Sequence, residues 1–317
     1  MRKIKIAKMD PEKVAKQIGN FVIKEILEEG RNGAILGLSG GVDSTATAAI
    51  VKRAFDEYNL INENKLELVG LLLPSKTNSP KDEEDGKKVA ERLGIRYEKI
   101  SIQPIVDAYS SIDDKTMKEK FHKGNLMSEI RALILHRKSA IENKILVGTG
   151  NHDEDLGVGY YTLFGDGAVR CSPIGMLPKR LVRDMARYLG FADLADRVST
   201  PGLEEGQTAF KDLGYKYEII VELVSYGLEQ GFSEEEILQN ECVLMEANLN
   251  ILEYRKVFGI NKFQNAQELI RDILKRNKMA KGKARILSPP IAQIDLEMVD
   301  AEEVFPRLKL LEVASGG

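Results

Sequence analysis

The sequence predicts an α/β fold, a doubly wound and mostly parallel sheet with flanking helices. Two observations carry that expectation. Short strand-length runs at 34–38, 67–73, 96–100 and 144–147, mostly apolar, alternate with helix-length segments, the pattern of βαβ units. The first of these runs also passes through the Gly-rich hexapeptide Ser39-Gly40-Gly41-Val42-Asp43-Ser44 directly into a helix-compatible segment. In such sheets ligands sit beyond the carboxyl ends of the strands, where Ser39, Pro74 and Gly148 would emerge.

The elements follow in order. Val14, Ile18, Phe21, Val22 and Ile26 recur at helical spacing behind Asp10-Pro11, an N-cap and first-turn pair, so an amphipathic helix is expected over 10–29. A strand at 34–38, a helix at 42–57, a strand at 67–73, a helix at 81–93 and a strand at 96–100 come next. An irregular stretch, a helix at 126–142 and a strand at 144–147 complete the series. Residues 155–215 are Gly-rich and loop-rich, and a long irregular stretch inside a compact domain is usually functional. Residues 215–290 read as the helical C-terminal part of one domain spanning 1–290, and 291–317 as a weakly structured tail.

Composition narrows the classes. A chain of 317 residues has room for one large or two ordinary domains and enough apolar content for a real core. A net charge of −3 and a pI near 5.9 argue against a nucleic-acid partner, for which clustered basic charge is expected. Met1-Arg2-Lys3-Ile4-Lys5 lacks an apolar leader core, and the longest apolar run, 68–73, is far too short for a bilayer. The expectation is a soluble, cytoplasmic protein without a membrane partner. Cys171 and Cys242 form no redox or zinc pair, and His122, His136 and His152 offer no zinc set.

The hexapeptide has the chemistry of a phosphate site. Two glycines let the backbone approach an oxyanion, and the N–H groups and positive dipole end of the following helix meet its charge. Ser39 and Ser44 add hydroxyl donors. Asp43 beside a phosphate requires a cation between the two, so it reads as a Mg2+ ligand. No lysine follows Gly41 as a Walker loop demands. The alternative is a tight βα turn whose Asp43 or Ser44 merely caps the helix.

Further motifs make the reading specific. Gly148-Thr149-Gly150-Asn151 with Glu154 is followed by Gly159-Tyr160-Tyr161-Thr162, Gly165-Asp166-Gly167, Leu177-Pro178-Lys179 and Gly206-Gln207-Thr208. In this order, downstream of the hexapeptide, the set resembles the ammonia-dependent NAD synthase family of N-type ATP pyrophosphatases, over residues 10–230. The resemblance implies an ATP-dependent amide ligase. A carboxylate, by default that of deamido-NAD, attacks the α-phosphate of ATP, pyrophosphate leaves, and ammonia displaces AMP. It also implies ATP and Mg2+ as cofactors. Gly37, Leu38, Ser39, Gly40, Gly41, Val42, Asp43 and Ser44 are expected around the pyrophosphate, with Thr149, Lys179 and Thr208 on ATP. Asp43 and Glu154 are the expected metal ligands, and Asp43, Lys179 and Asp166 the expected catalytic set, with Asp166 holding ammonia.

Departures from the family pattern gather at the acceptor positions. The family's G-N-x-x-A-R-x-R-M reads Gly124-Asn125-Leu126-Met127-Ser128-Glu129-Ile130-Arg131-Ala132, so an arginine has become Glu129. A substrate-contacting aspartate is replaced by Arg170, Q-T-D-E reads Gln207-Thr208-Ala209-Phe210, and H-K-R before Pro-Pro becomes Ala284-Arg285-Ile286. One extra residue lies between Glu154 and Thr162. Glu129, Arg170 and Arg285 are therefore expected to read the acceptor. That expectation opens a changed carboxylate as an alternative, with a simple exchange of charges between Glu129 and Arg170 as the other. A sulfur-inserting pyrophosphatase using Cys171 and a non-catalytic nucleotide binder are further alternatives. No glutaminase equipment is visible, so ammonia, free or from a separate partner protein, is the expected nitrogen source. The resemblance implies a homodimer, with 10–29 and 126–142 as candidate interface helices.

Overall fold

Four parallel strands in the order β4-β3-β2-β5 form the sheet of the computed structural model, which describes residues 2–198, 200, 206–288 and 290–309. Gly202, Pro289 and the Gly-Gly end lie outside the described residues. The chain begins with β1 (Lys5–Lys8), α1 (Pro11–Glu28), β2 (Gly33–Gly37), α2 (Val42–Ile61), β3 (Glu67–Leu72), α3 (Pro80–Leu93) and β4 (Arg96–Lys99). It continues through α4 (Gln103–Tyr109), α5 (Asp114–Lys118), α6 (Lys120–Ile141) and β5 (Ile145–Leu146). A π-helical turn, Asp153–Val158, leads to α7 (Lys179–Tyr188), α8 (Ala192–Ala195) and α9 (Ala209–Leu213). Then come α10 (Glu222–Glu229), α11 (Glu234–Leu238), α12 (Glu241–Phe258), α13 (Ala266–Ile286), β6 (Glu297–Asp300) and α14 (Ala301–Val304).

Strand β2 is central. Its Ala34 lies opposite Leu68 of β3 and Ile145 of β5, and its Ile35 opposite Val69 and Leu146. Alternate residues face opposite sides of the sheet. Ala34, Leu36, Leu68 and Leu72 join the main core with α1 and α2, while Ile35, Val69 and Leu71 meet Ile134 and Leu135 of α6. Both faces are covered, which is why these strands read as continuous apolar runs.

Local chemistry fixes the helix ends. Asp10 accepts from the N–H groups of Glu12 and Lys13 at the start of α1, and Pro11 follows it. Ser79 caps α3 ahead of Pro80, and Gly94 ends it in the left-handed region.

Three expectations are corrected. The stretch after β4 contains α4 and α5, and α6 starts at Lys120, six residues before the expected boundary. Residues 155–215 are not continuous loop, because α7 crosses them with Leu181, Val182, Met185 and Ala186 buried. The tail is not weakly structured over its described part. Ser172 N–H donates to Pro290 O at 2.9 Å beside the sheet edge, and β6 pairs antiparallel with β1, Ile6 opposite Val299. A four-residue strand without an apolar pattern of its own is stabilised by a partner almost 300 positions away, so local sequence did not reveal it.

The β1–β6 pairing makes a test. Ile6 is fully buried, so Ile6→Ala is expected to lower the unfolding free energy by about 2–5 kcal/mol, read from the midpoint of a urea titration. A loss below about 0.5 kcal/mol would mean that the strand is dispensable to the core.

Candidate active site

The carboxyl ends of β2, β3 and β5 open onto a cavity of about 320 Å³. The Gly-rich turn forms one wall. Helix α2 begins at Val42 with Gly41 as its N-cap and no side-chain cap, so neither Asp43 nor Ser44 plays the capping role. Its first-turn N–H groups are left for a ligand. Ser44 Oγ lies 3.2 Å from Ser39 Oγ and donates to Gly41 O at 3.0 Å, keeping both hydroxyls at the turn. Gly37, Leu38, Ser39, Gly41, Val42, Asp43 and Ser44 line the cavity, whereas Gly40 does not and instead makes the turn at φ +75°.

Three segments meet behind this wall. Lys179, at the first position of α7 and 1% exposed, donates from Nζ to Asp43 Oδ2 at 2.5 Å and Glu154 Oε1 at 3.0 Å. Asn151 Nδ2 holds the other Asp43 oxygen at 2.9 Å, and its Oδ1 accepts from Glu154 N–H. Asp153 Oδ2 accepts from Lys179 N–H at 2.8 Å, so the π-helical turn anchors both the head and the backbone of that lysine. Burial disfavours the Lys179 ammonium, but Asp43 and Glu154 outweigh it and hold its pKa above the ordinary value. Burial pushes Glu154 up to about 7 against the pull of Lys179.

The π-helical turn Asp153–Val158 overlaps the stretch between Glu154 and Thr162 where the spacing departs from the family pattern, and π turns of this kind recur at functional sites. Glu154 and its neighbour Asp155 both line the cavity. Asp155 packs so closely on Gly150 that a Cβ there would lie 2.0 Å from its Oδ2. Burial, then Glu154 and Asp166, raise the Asp155 carboxyl well above its usual range. Across the cavity, Asp166 accepts from Ser128 Oγ at 2.6 Å and from Thr162 N–H at 3.1 Å.

The acceptor expectation needs correcting. Ser128, Arg131, Ala132 and Leu135 of α6 line the cavity at positions i, i+3, i+4 and i+7, one helical face. Glu129 lies about 100° round the helix from Ser128 and is exposed. Arg170 points away from the neighbouring cavity residue Val169 and pairs with Glu29 and, at 3.6 Å, Glu25 of α1. Glu129 and Arg170 neither share a pocket nor pair. Arg285 is exposed on the last turn of α13, away from the cavity. Thr208 also misses it, because its hydroxyl caps α9 by accepting from Lys211 N–H at 3.1 Å. Thr149 lines the cavity as expected of its strand end.

Sequence reasoning overlooked the cavity residues Arg131, Asp155, Arg197, Thr200 and Tyr217. Arg131 could have been found from the helical spacing just described. Its Nε donates to Leu73 O at 3.1 Å and its Nη2 to Asn78 Oδ1 at 3.0 Å. Burial lowers its pKa and the Asp166 charge opposes that shift.

Asp43 and Glu154 line the cavity with hard carboxylate oxygens gathered around the Lys179 ammonium, a donor type that fits Mg2+ held by one or two carboxylates together with substrate phosphates. Among the described residues no group of three or more His, Cys, Asp and Glu side chains could hold a metal unaided. Among them, too, no helix is long and apolar enough to cross a membrane.

Comparison with known proteins follows from this geometry. Residues 14–262 match the family model described as NAD synthase. The NH(3)-dependent NAD(+) synthetase of Pyrobaculum aerophilum is 37% identical over 213 residues, 67% of this chain and 76% of that protein. The structure of NMN synthetase from Francisella tularensis superposes with a TM-score of 0.63 at 26% identity, covering 81% of this chain and 100% of that one. The NH3-dependent NAD synthetase from Campylobacter jejuni gives 0.61 at 25% identity, covering 87% and 97%.

Cys171 does not have the setting of a reactive thiol. It is fully buried, and burial together with Glu25 pushes its pKa up to about 12 despite Arg170. Iodoacetamide at pH 8 is expected to leave Cys171 of the folded protein unlabelled by mass spectrometry, and Cys171→Ser to turn over near the parent rate. Rapid labelling or an inactive variant would restore the sulfur-transfer alternative.

Proposed function

This chain belongs to the NAD synthase family and is an ATP-dependent amide ligase of the ammonia-dependent type, and on that premise we propose which side chains carry the two half-reactions. The observation that supports the assignment is the buried Lys179 ammonium, held by Asp43 and Glu154 beside the uncapped start of α2. ATP lies with its β- and γ-phosphates in the Gly-rich turn, and its α-phosphate reaches the carboxylate acceptor between that turn and α6.

Attack of the acceptor carboxylate on the α-phosphorus breaks the bond to the bridging oxygen. Negative charge then grows on pyrophosphate. The open N–H groups of α2, the hydroxyls of Ser39 and Ser44, and the Lys179 ammonium answer that charge from fixed positions, with no reorganisation of water required. Mg2+ held by Asp43 and Glu154 would supply further neutralisation of the phosphates. Lys179 is already shared between two carboxylates, so its reach toward ATP comes with exchange of one of those partners.

Ammonia attacks the acyl carbon of the adenylate in the second step. Asp166, fixed by Ser128 and Thr162, holds ammonium and takes one proton from it, which frees the lone pair of ammonia for attack, and the second proton is lost to solvent as the amide forms. The raised Asp155 carboxyl lines the same cavity beside Glu154. AMP leaves with the bonding pair of its acyl–oxygen bond, and the product is the amide, NAD when deamido-NAD is the acceptor.

A homodimer completes the reading. The outer face of α6 shows Leu133 at 54% and Ile141 at 79% exposure, with Glu129 and Arg137 in the same stripe. A second copy covering that face would bring Glu129 into an interface, away from its own chain's cavity. Cytoplasmic location and a separate ammonia-supplying protein belong to the same reading.

Incubation with ATP, Mg2+, ammonium and deamido-NAD is expected to release pyrophosphate, AMP and NAD in equal amounts. Nicotinate mononucleotide run in parallel tests for an acceptor of the NMN synthetase kind, and pyrophosphate release with neither acceptor would overturn the assignment. Lys179→Met is expected to lower kcat by roughly 10²–10³. Asp166→Asn should raise the KM for ammonium and leave that for ATP unchanged. An equal effect on both constants would remove Asp166 from the ammonia site.

A further inference from the structure

Arg197 lies outside every motif that led to the site, yet it touches the Gly-rich turn directly. Its Nη1 donates to Gly40 O at 2.6 Å and to Asp85 Oδ2 at 2.9 Å, and its Nη2 pairs with Asp82. The side chains of Arg197 and Asp85 are only 17% and 6% exposed, so the contact is built into the fold.

The bond to Gly40 O has a consequence for the opposite side of the same peptide. No peptide bond in the described chain is cis, so the Gly40 carbonyl and the Gly41 N–H point in opposite directions. Arg197 lines the cavity on the α3 side of the turn, so holding the carbonyl toward it turns the Gly41 N–H the other way, toward Ser39 Oγ, in the part of the cavity that Ser39 and Gly41 line and Gly40 does not. That N–H is held only by Ser39 Oγ at 3.3 Å, so an anion can take it. A Gly-Gly peptide has little steric resistance to rotating as a unit, and the reversed orientation would put a carbonyl oxygen where pyrophosphate charge develops. Space on the far side is already used. A Cβ on Gly40 would lie 2.4 Å from Asp82 O and 2.9 Å from Arg197 Nη1.

We infer that Arg197 is a positioning residue that locks the Gly40–Gly41 peptide with its N–H toward the departing pyrophosphate, while Asp82 and Asp85 hold the guanidinium in place. Its charge is spent on those two carboxylates, so it acts through the peptide and makes no direct contact with phosphate. The inference rests on the proposed pyrophosphate site in the turn.

Titration calorimetry with magnesium pyrophosphate and, separately, AMP tests it on the full chain. Pyrophosphate must first bind the parent protein in competition with ATP; if it does not, the site assignment itself fails. Given that binding, Arg197→Met is expected to weaken pyrophosphate by about tenfold, the worth of one oriented hydrogen bond, and to leave AMP affinity unchanged. Arg197→Gln keeps an N–H donor for Gly40 O and should lose less. Unchanged pyrophosphate affinity, an equal loss for AMP, or an equal loss in both variants would each overturn the positioning role. Should Arg197→Met fail to fold, Arg197→Lys, with a single donor group, takes its place against Arg197→Gln.

Discussion

A lysine ammonium buried between two carboxylates is the constraint around which this site is organised. Lys179 has almost no solvent to fall back on, so its charge depends on Asp43 and Glu154. The three residues come from the start of α2, the π-helical turn and the start of α7. None of these segments can shift without stranding a charge in a place that water does not reach. The same contacts fix the direction of α2, whose free N–H groups then face the cavity, and the seating of α7 against α2 in the core.

The π-helical turn concentrates the acids of the site. Glu154 and Asp155 both line the cavity, and Asp153 binds the Lys179 backbone. Three neighbouring acids thereby acquire three different environments: one pairs with an ammonium, one sits against Gly150, and one caps a helix.

Much was legible before any coordinates. The Gly-rich hexapeptide sits between a strand and a helix because only glycine tolerates the φ of position 40, so that sequence and structure are tied by sterics. Strands β2 and β3 were legible because burial on both faces leaves few polar positions to blur them. The acceptor residues were misread because a motif gives spacing along the chain and not direction in space. Ser128 and Arg131 share a helix face that Glu129 does not, and Arg170 was claimed by acids of α1 that stand far from it in sequence.

By itself the sequence determined the α/β class, the Gly-rich turn between strand and helix, and the grouping of that turn with Glu154 and Lys179 as motifs of a family whose chemistry is amide formation from ATP. Those features are local or carried by ordered motifs, and local backbone sterics and hydrophobic periodicity suffice to read them. Tertiary structure alone decided that the tail returns to pair with β1, that Arg197 belongs at the cavity, and that Glu129, Arg170, Arg285 and Thr208 do not line it. Each of those outcomes depends on which side chains meet after the chain has crossed the sheet, and long-range pairing leaves no signature in the residues next to it.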